Sequence, residues 1–89
     1  MRAVVTVVGK DRTGIIAKVS GYLADKTINI LDISQTIMQD LFTMIMLIDT
    51  KESNIGAAEL SADLKGLGEE IGVEINVQHE GLFTAMHRI

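Results

Sequence analysis

The apolar positions along the chain switch between strand-like and helix-like spacing. Residues 3–8 are apolar at nearly every position and end at Gly9, which predicts a strand with both faces covered. After a polar turn, apolar residues recur at i, i+3, i+4 and i+7 spacing and predict a helix near residues 14–26. Asp11 and Thr13 are both candidate N-caps for this helix.

The middle of the chain predicts two strands with different burial. From residue 28 to about residue 39, apolar and polar side chains alternate, which is typical of a half-buried edge strand. Its apolar face would hold Leu31, Ile33 and Ile37, and its polar face Asp32, Ser34 and Thr36. Residues 41–48 are almost continuously apolar and predict a strand buried on both faces. A tight hairpin turn at Gln39-Asp40 would join the two strands.

The last part of the chain predicts a second helix and a fourth strand. An apolar stripe indicates a helix near residues 54–71, with Ser53 or Asn54 as its N-cap. Three glycines are expected to weaken the C-terminal half of this helix: Gly66, Gly68 and Gly72. Residues 73–78 alternate strictly and predict a strand with one wet face, and residues 82–89 are expected to add one short amphipathic turn.

The element order βαββαβ and the burial patterns together predict a fold. Because the first and third strands are apolar on both faces, they belong in the centre of the sheet, and the second and fourth belong at its edges. The result is an α+β, ferredoxin-like sandwich, with an antiparallel sheet in the order 4-1-3-2 and both helices on one face. Val4 or Val8 and Met44 or Met46 are expected on the uncovered face.

Self-association would cover such an apolar face and would also support a small core. We therefore expect a homodimer. The pattern leaves open whether two copies pair along the second strand and first helix, or stack through their sheet faces.

Composition narrows the classes of function. The 89 residues predict a single domain over residues 1–89. The absence of cysteine excludes disulfides and thiolate metal sites, and it fits a cytoplasmic location. A net charge of −4 with scattered basic residues argues against direct nucleic-acid binding. No apolar run approaches the ~20 residues of a membrane span, so we expect no membrane insertion.

Few side chains suggest catalysis, and we predict that the protein is not an enzyme. Arg12 alone is a weak signal for phosphoryl chemistry, and His79 and His87 lack metal-ligand spacing. No cofactor or metal is expected. The loop from Gly9 to Gly14 is the remaining candidate, because it leads into a helix N-terminus, where backbone N–H groups can bind an anion. Ordinary turn formation is the alternative explanation for this loop.

Two segments resemble the ACT-domain family. Residues 7–17, VVGKDRTGIIA, are similar to the family's strand and Asp-Arg-Pro-Gly-like turn, and residues 28–36, INILDISQT, to its second strand, which opens with Asn-Ile. The resemblance covers the whole chain. It is strongest to small stand-alone members related to regulators of the glycine-cleavage system, which also carry Ser-Gln-Thr on strand two and a Phe-x-x-Met tail, here Phe83 and Met86.

This resemblance implies a regulatory domain that dimerises and binds an amino acid or similar small ligand. It implies a site between the first loop and the start of the second strand, formed by Asp11, Thr13, Gly14, Ile15, Asn29 and Ile30. Asp11 or Asn29 would meet an ammonium or amide group, and the N–H groups at Gly14 and Ile15 a carboxylate. The alternative is an interaction module of the same fold that holds a regulatory protein partner and binds no small molecule.

Overall fold

The computed structural model describes residues 1–81 and has the predicted element order. Its elements are β1 (Arg2–Lys10), α1 (Ile15–Asp25), β2 (Asn29–Met38), β3 (Leu41–Asp49), α2 (Ala57–Ile71) and β4 (Val73–His79). The amphipathic turn predicted within residues 82–89, which include His87, lies outside the described residues. No helix within residues 1–81 is long and apolar enough to cross a membrane.

The four strands form one antiparallel sheet in the order β2-β3-β1-β4, which confirms the predicted ferredoxin-like topology. The doubly apolar strands β1 and β3 lie in the centre, where their side chains on both faces are flanked by those of two neighbouring strands. In register, Val5 lies between Met46 and Val77, and Val7 lies between Met44 and Ile75. These pairs form the floor on which both helices pack.

The prediction for the uncovered face was right for β1 and wrong for β3. Val4 and Val8 lie on the face without helices, as expected. Met44 and Met46 instead point toward the helices and are fully buried in the core. Because side chains alternate along a strand, β3 presents Leu41, Ile45 and Leu47 to the uncovered face. A strand that is apolar on both faces does not itself show which set of side chains meets the helices.

The predicted helix caps were wrong at both helices. α1 begins after Gly14, which has φ 92°, and no side chain caps the helix. α2 begins after Gly56, again without a side-chain cap. Ser53 instead accepts a hydrogen bond from the Ile55 N–H at 3.2 Å, within the preceding loop. Polar residues near a helix start can form local turns as well as caps, so their presence alone did not locate the first helical residue.

β2 is more exposed than predicted. Every residue of this strand is exposed, although the sequence suggested a half-buried strand. The helices cover the other strands and leave β2 at the edge of the sheet. A bulge between Ile30 and Asp32 also takes Leu31 out of the predicted alternation. The outer edge of β2, with its exposed apolar side chains, therefore pairs with no other strand of residues 1–81.

The two helices are joined by a hydrogen bond between side chains. The Tyr22 hydroxyl on α1 donates to Asp63 Oδ2 on α2 at 2.7 Å. Burial of the ring, and secondly the bond to the Asp63 carboxylate, raise the pKa of Tyr22 well above its ordinary value. Ionising this phenol would place two negative charges side by side.

We expect the folded protein to show no tyrosinate absorbance as the pH passes about 10, the ordinary pKa of tyrosine. Tyr22 is the only tyrosine and the chain has no tryptophan, so the ultraviolet titration reports this residue alone. The folded state holds the proton more tightly than the unfolded state. The stability that this provides is therefore present below the unfolded pKa and lost as the pH rises through the folded pKa. Asp63→Asn should lower the pKa of Tyr22. Tyrosinate absorbance that appears near pH 10 in the folded wild-type protein would contradict the expectation.

Candidate functional site

The loop between β1 and α1 is anchored to the neighbouring hairpin. The Asp11 N–H donates to the Asp40 carbonyl at 2.7 Å, which ties the loop to the turn between β2 and β3. At the other end of the loop, Gly14 adopts a left-handed conformation with φ 92°. This conformation favours glycine, and it turns the chain sharply from the end of β1 into α1. The loop therefore has a defined shape at the edge of the sheet.

The N-terminus of α1 presents unpaired backbone donors. The first intrahelical bond runs from the Lys18 N–H to the Gly14 carbonyl at 2.9 Å. The N–H groups of Ile15, Ile16 and Ala17 precede it and have no partner within the helix. No acidic residue lies in the first turn of α1, whereas Glu59 lies in the first turn of α2. Of the two helices, α1 thus leaves the positive end of its dipole without a carboxylate from its own first turn.

A cavity of about 410 Å³ opens at this helix end. Its polar wall is the β1–α1 loop, and its apolar wall comes from α1, β2 and β3. The lining residues are Asp11, Arg12, Gly14, Ile15, Ile16, Ala17, Gln35, Ile37 and Phe42. Three predicted site residues, Asp11, Gly14 and Ile15, are among them. Thr13 is exposed in the same loop but does not line the cavity.

The lining from β2 and β3 was not predicted. Ile37 lies directly opposite Phe42 in the hairpin, and the two side chains share the helix-side face with Gln35. They lie beside the loop because the end of β2, the start of β3 and the end of β1 are at the same end of the sheet. Nothing local in the sequence marks these three residues. The predicted strand order, combined with antiparallel register, could have placed the hairpin beside the loop.

The other two predicted site residues lie at the far end of the sheet. Asn29 pairs with Asp49, which pairs with Arg2 at the start of β1. The loop follows Lys10 at the opposite end of β1, about 25 Å away at the spacing of residues along a strand. Asn29 and Ile30 are therefore not brought together with Asp11 and Gly14 within one chain.

Arg12 lies between the cavity and the second helix. It lines the cavity, and its guanidinium rests against Gly72: a Cβ added there would lie 3.4 Å from Arg12 Cζ. Gly72 ends α2, so the cation lies at the negative end of that helix dipole. Arg12 forms no ion pair with any described residue. Its charge therefore contributes to a positive potential on one side of the cavity.

Two other clefts differ in chemistry. One of about 490 Å³ between α2 and β4 carries charges of both signs on Lys65, Glu69 and Glu74. One of about 400 Å³ is lined by Asp25, Glu52 and Glu59 with a single lysine. Within residues 1–81, no group of three or more histidine, aspartate or glutamate residues is placed to hold a metal ion. Of these three clefts, the one at the N-terminus of α1 combines free backbone donors with an apolar wall from α1, β2 and β3.

Known proteins are similar to this chain in sequence and in fold. The family model of the ACT domain matches residues 2–78. A UPF0237 protein of Methanocaldococcus jannaschii is 54% identical over 88 residues, which cover 99% of this chain and 98% of that protein. An ACT domain protein from Streptococcus pneumoniae superposes with a TM-score of 0.83, 38% identity and 93% coverage of both chains.

A crystal structure provisionally named as a glycine cleavage system transcriptional repressor has a TM-score of 0.76 and 30% identity. The match covers 86% of this chain and 44% of that one. These matches confirm the resemblance predicted from the loop and the second strand. The chain belongs to the ACT-domain family.

Proposed function

We propose that the protein is a non-catalytic regulatory module, a single domain over residues 1–89, that binds an amino acid or similar small ligand at the interface of a homodimer. The observation that carries this proposal is the cavity at the N-terminus of α1. Its volume of about 410 Å³ is within the range of small-molecule sites. Membership of the ACT-domain family supports a regulatory, ligand-binding role.

The cavity is complementary to a zwitterion. The free N–H groups of α1 and the charge of Arg12 favour a carboxylate, and the Asp11 carboxylate favours an ammonium group. Ile37 and Phe42 offer an apolar surface to the side chain of the ligand, and Gln35 offers an amide that can donate or accept a hydrogen bond. An amino acid carries all of these groups on one small frame.

The homodimer would form along the free edge of β2. Unpaired edge strands present backbone groups to another strand, and apolar side chains strengthen the pairing. Ile30, Ile33 and Ile37 lie on the helix side of β2 and are exposed, as is Ile16 on the neighbouring helix. Pairing of β2 with its copy would extend the sheet, and the α1 helices of both subunits would cover these side chains. The structure thus favours edge pairing over stacking of sheet faces.

Pairing of the two β2 strands would also complete the site. A two-fold axis requires that the strands run antiparallel and that each contact occurs twice. If the strands overlap fully, with Leu31 bulged out, the axis passes near Ser34. Ile30 then lies opposite Ile37 of the partner subunit, and Asn29 opposite Met38 of the partner subunit. The predicted residues Asn29 and Ile30 would reach the cavity of the other subunit.

A thermal-shift screen against the twenty amino acids tests ligand binding. A ligand at 100 times its dissociation constant stabilises a protein by about 2.7 kcal/mol, which is readily detected as a rise in melting temperature. At least one amino acid is expected to stabilise the protein in this way. If none does so at millimolar concentration, the protein is better described as an interaction module that binds a regulatory protein partner.

Gly14→Val is expected to abolish binding of the amino acid found in that screen and to leave the fold intact by circular dichroism. A Cβ at Gly14 would meet no atom within 4 Å, so the chain has room for it, but valine is strained at φ 92° and would project into the cavity. Gly21→Val is the matched control, because Gly21 lies on α1 in open space and away from the cavity. Equal affinity of the parent and Gly14→Val would place the site elsewhere.

Mixing two defective variants tests whether the site is shared between subunits. Asn29→Ala is expected to weaken binding between a few-fold and roughly a hundredfold. In a heterodimer of Gly14→Val and Asn29→Ala chains, one site contains both changes and the other contains neither. Isothermal titration of the re-equilibrated mixture should therefore recover a class of sites with wild-type affinity. No recovery would show that each chain forms its site alone.

A further inference from the structure

The walls of the cavity at the N-terminus of α1 differ in charge as well as in polarity. Both ionisable residues among its described lining, Asp11 and Arg12, belong to the β1–α1 loop. The described lining from α1, β2 and β3 contains no ionisable side chain, and Gln35 is the one residue there with a polar side chain. A ligand whose carboxylate and ammonium groups contact the loop therefore extends its own side chain along walls without charge.

The apolar side chains of these walls are unequally exposed. Phe42 is 2% exposed and Ile15 is 3% exposed, so both belong to the core and form the floor of the cavity. Ile16 on α1 is 37% exposed, and Ile37 on β2 is 50% exposed. Both isoleucines keep part of their apolar surface in water in the single chain. A ligand side chain placed against them would remove that surface from water, which is favourable.

These walls favour an aliphatic side chain over a charged, polar or aromatic one. A charged side chain would lose its hydration without gaining a counter-ion, and an uncharged polar one would meet a single amide, that of Gln35. An aromatic side chain gains most from contact with another ring, but the ring of Phe42 is almost completely buried. A branched aliphatic group requires only apolar contact, which Ile16 and Ile37 supply.

We propose that the amino acid bound in this cavity is aliphatic, of the class of valine, leucine and isoleucine, and that Ile16 and Ile37 select it. This inference rests on the proposed function, because it requires a ligand at the N-terminus of α1. In the homodimer described above, Ile30 of the partner subunit lies opposite Ile37 and extends the same apolar surface. The loop then binds the groups common to all amino acids, and the isoleucines distinguish between their side chains.

Isothermal titration with glycine, alanine, norvaline and leucine tests this selectivity. These amino acids share one head group and differ only in the size and branching of an apolar side chain. A fully buried methylene strengthens binding about fourfold, so leucine is expected to bind at least about tenfold more tightly than alanine. Asparagine is close to leucine in shape but carries an amide. It is expected to bind at least about tenfold more weakly than leucine.

Ile16→Ala separates contact with the ligand side chain from a general loss of binding. The variant removes apolar surface from the cavity wall and keeps the loop and the backbone N–H groups. The ratio of leucine affinity to alanine affinity is expected to fall about three- to fourfold. A change in folding or dimerisation would weaken both ligands alike and leave this ratio unchanged. Ile45→Ala is the matched control, because Ile45 is 40% exposed but lies on the uncovered face of the sheet, and it should keep the parent's ratio.

The outcomes distinguish this inference from the proposed function. If glycine, asparagine or phenylalanine binds as tightly as leucine, the selectivity is wrong and the proposed function stands. A ratio in Ile16→Ala equal to that of the parent would also overturn the inference, because the ligand side chain would then lie away from Ile16. If no amino acid binds at millimolar concentration, the proposed function fails and this inference fails with it.

Discussion

Ile33→Asp is expected to convert the homodimer into a monomer at micromolar concentration. Ile33 is 44% exposed in the single chain and lies near the proposed two-fold axis of the β2 pair. In the proposed dimer, the exposed part of each Ile33 side chain becomes buried. Losing this burial for two isoleucines costs about 2–3 kcal/mol per dimer, and two aspartates near the axis repel each other. The dissociation constant should therefore rise at least about a hundredfold. Sedimentation equilibrium measures this change directly.

Ile45→Asp is the matched control for this prediction. Ile45 is the same residue type and is 40% exposed, but it lies on the uncovered face of the sheet. If the dimer forms along β2, this variant should keep the parent's dissociation constant. If the copies stack through their sheet faces, Ile45→Asp should dissociate the dimer and Ile33→Asp should not. Both variants should remain folded, because each side chain already contacts solvent in the single chain.

Gly68→Ala is expected to lower the free energy of unfolding by about 2–3 kcal/mol, the upper range for overpacking a core. Gly68 is buried where α2 crosses β4. A Cβ there would lie 2.6 Å from the Val73 carbonyl oxygen and 3.1 Å from Ile75 Cγ1. Since the first of these atoms belongs to the backbone, a side-chain rotation cannot relieve the contact, and α2 must move away from β4. Urea denaturation followed by circular dichroism measures the loss.

Gly66→Ala should have the opposite effect in the same helix. Gly66 is exposed, and a Cβ there meets no atom within 4 Å. Alanine in an exposed helix interior is more favourable than glycine by up to about 1 kcal/mol, so this variant should be more stable than the parent. If both alanine variants stabilise the protein, the close approach of α2 to β4 is wrong. The sequence suggested only that these glycines weaken the helix, and it did not distinguish the packed position from the open one.

The order of the elements and of the strands followed from the sequence alone. Side-chain periods of 2 and 3.6 depend on local backbone geometry, so they are visible without a fold. The doubly apolar segments 3–8 and 41–48 placed β1 and β3 in the centre, because side chains of a central strand are flanked on both sides and are less exposed than those of an edge strand. The loop that ends at Gly14 was also located correctly, since a polar turn before an apolar helical stripe is a local signal.

Features that depend on distance in space were decided by the tertiary structure. The sequence did not show that Met44 and Met46 face the helices, because an all-apolar strand satisfies either orientation and only packing selects one. It did not show that Gln35, Ile37 and Phe42 line the cavity, because their approach to Gly14 depends on the register of three strands. The resemblance to the ACT-domain family implied a site between the loop and Asn29, and antiparallel geometry puts Asn29 at the opposite end of the sheet within one chain. Local periodicity determined the elements and their order, and long-range register decided which side chains share a site.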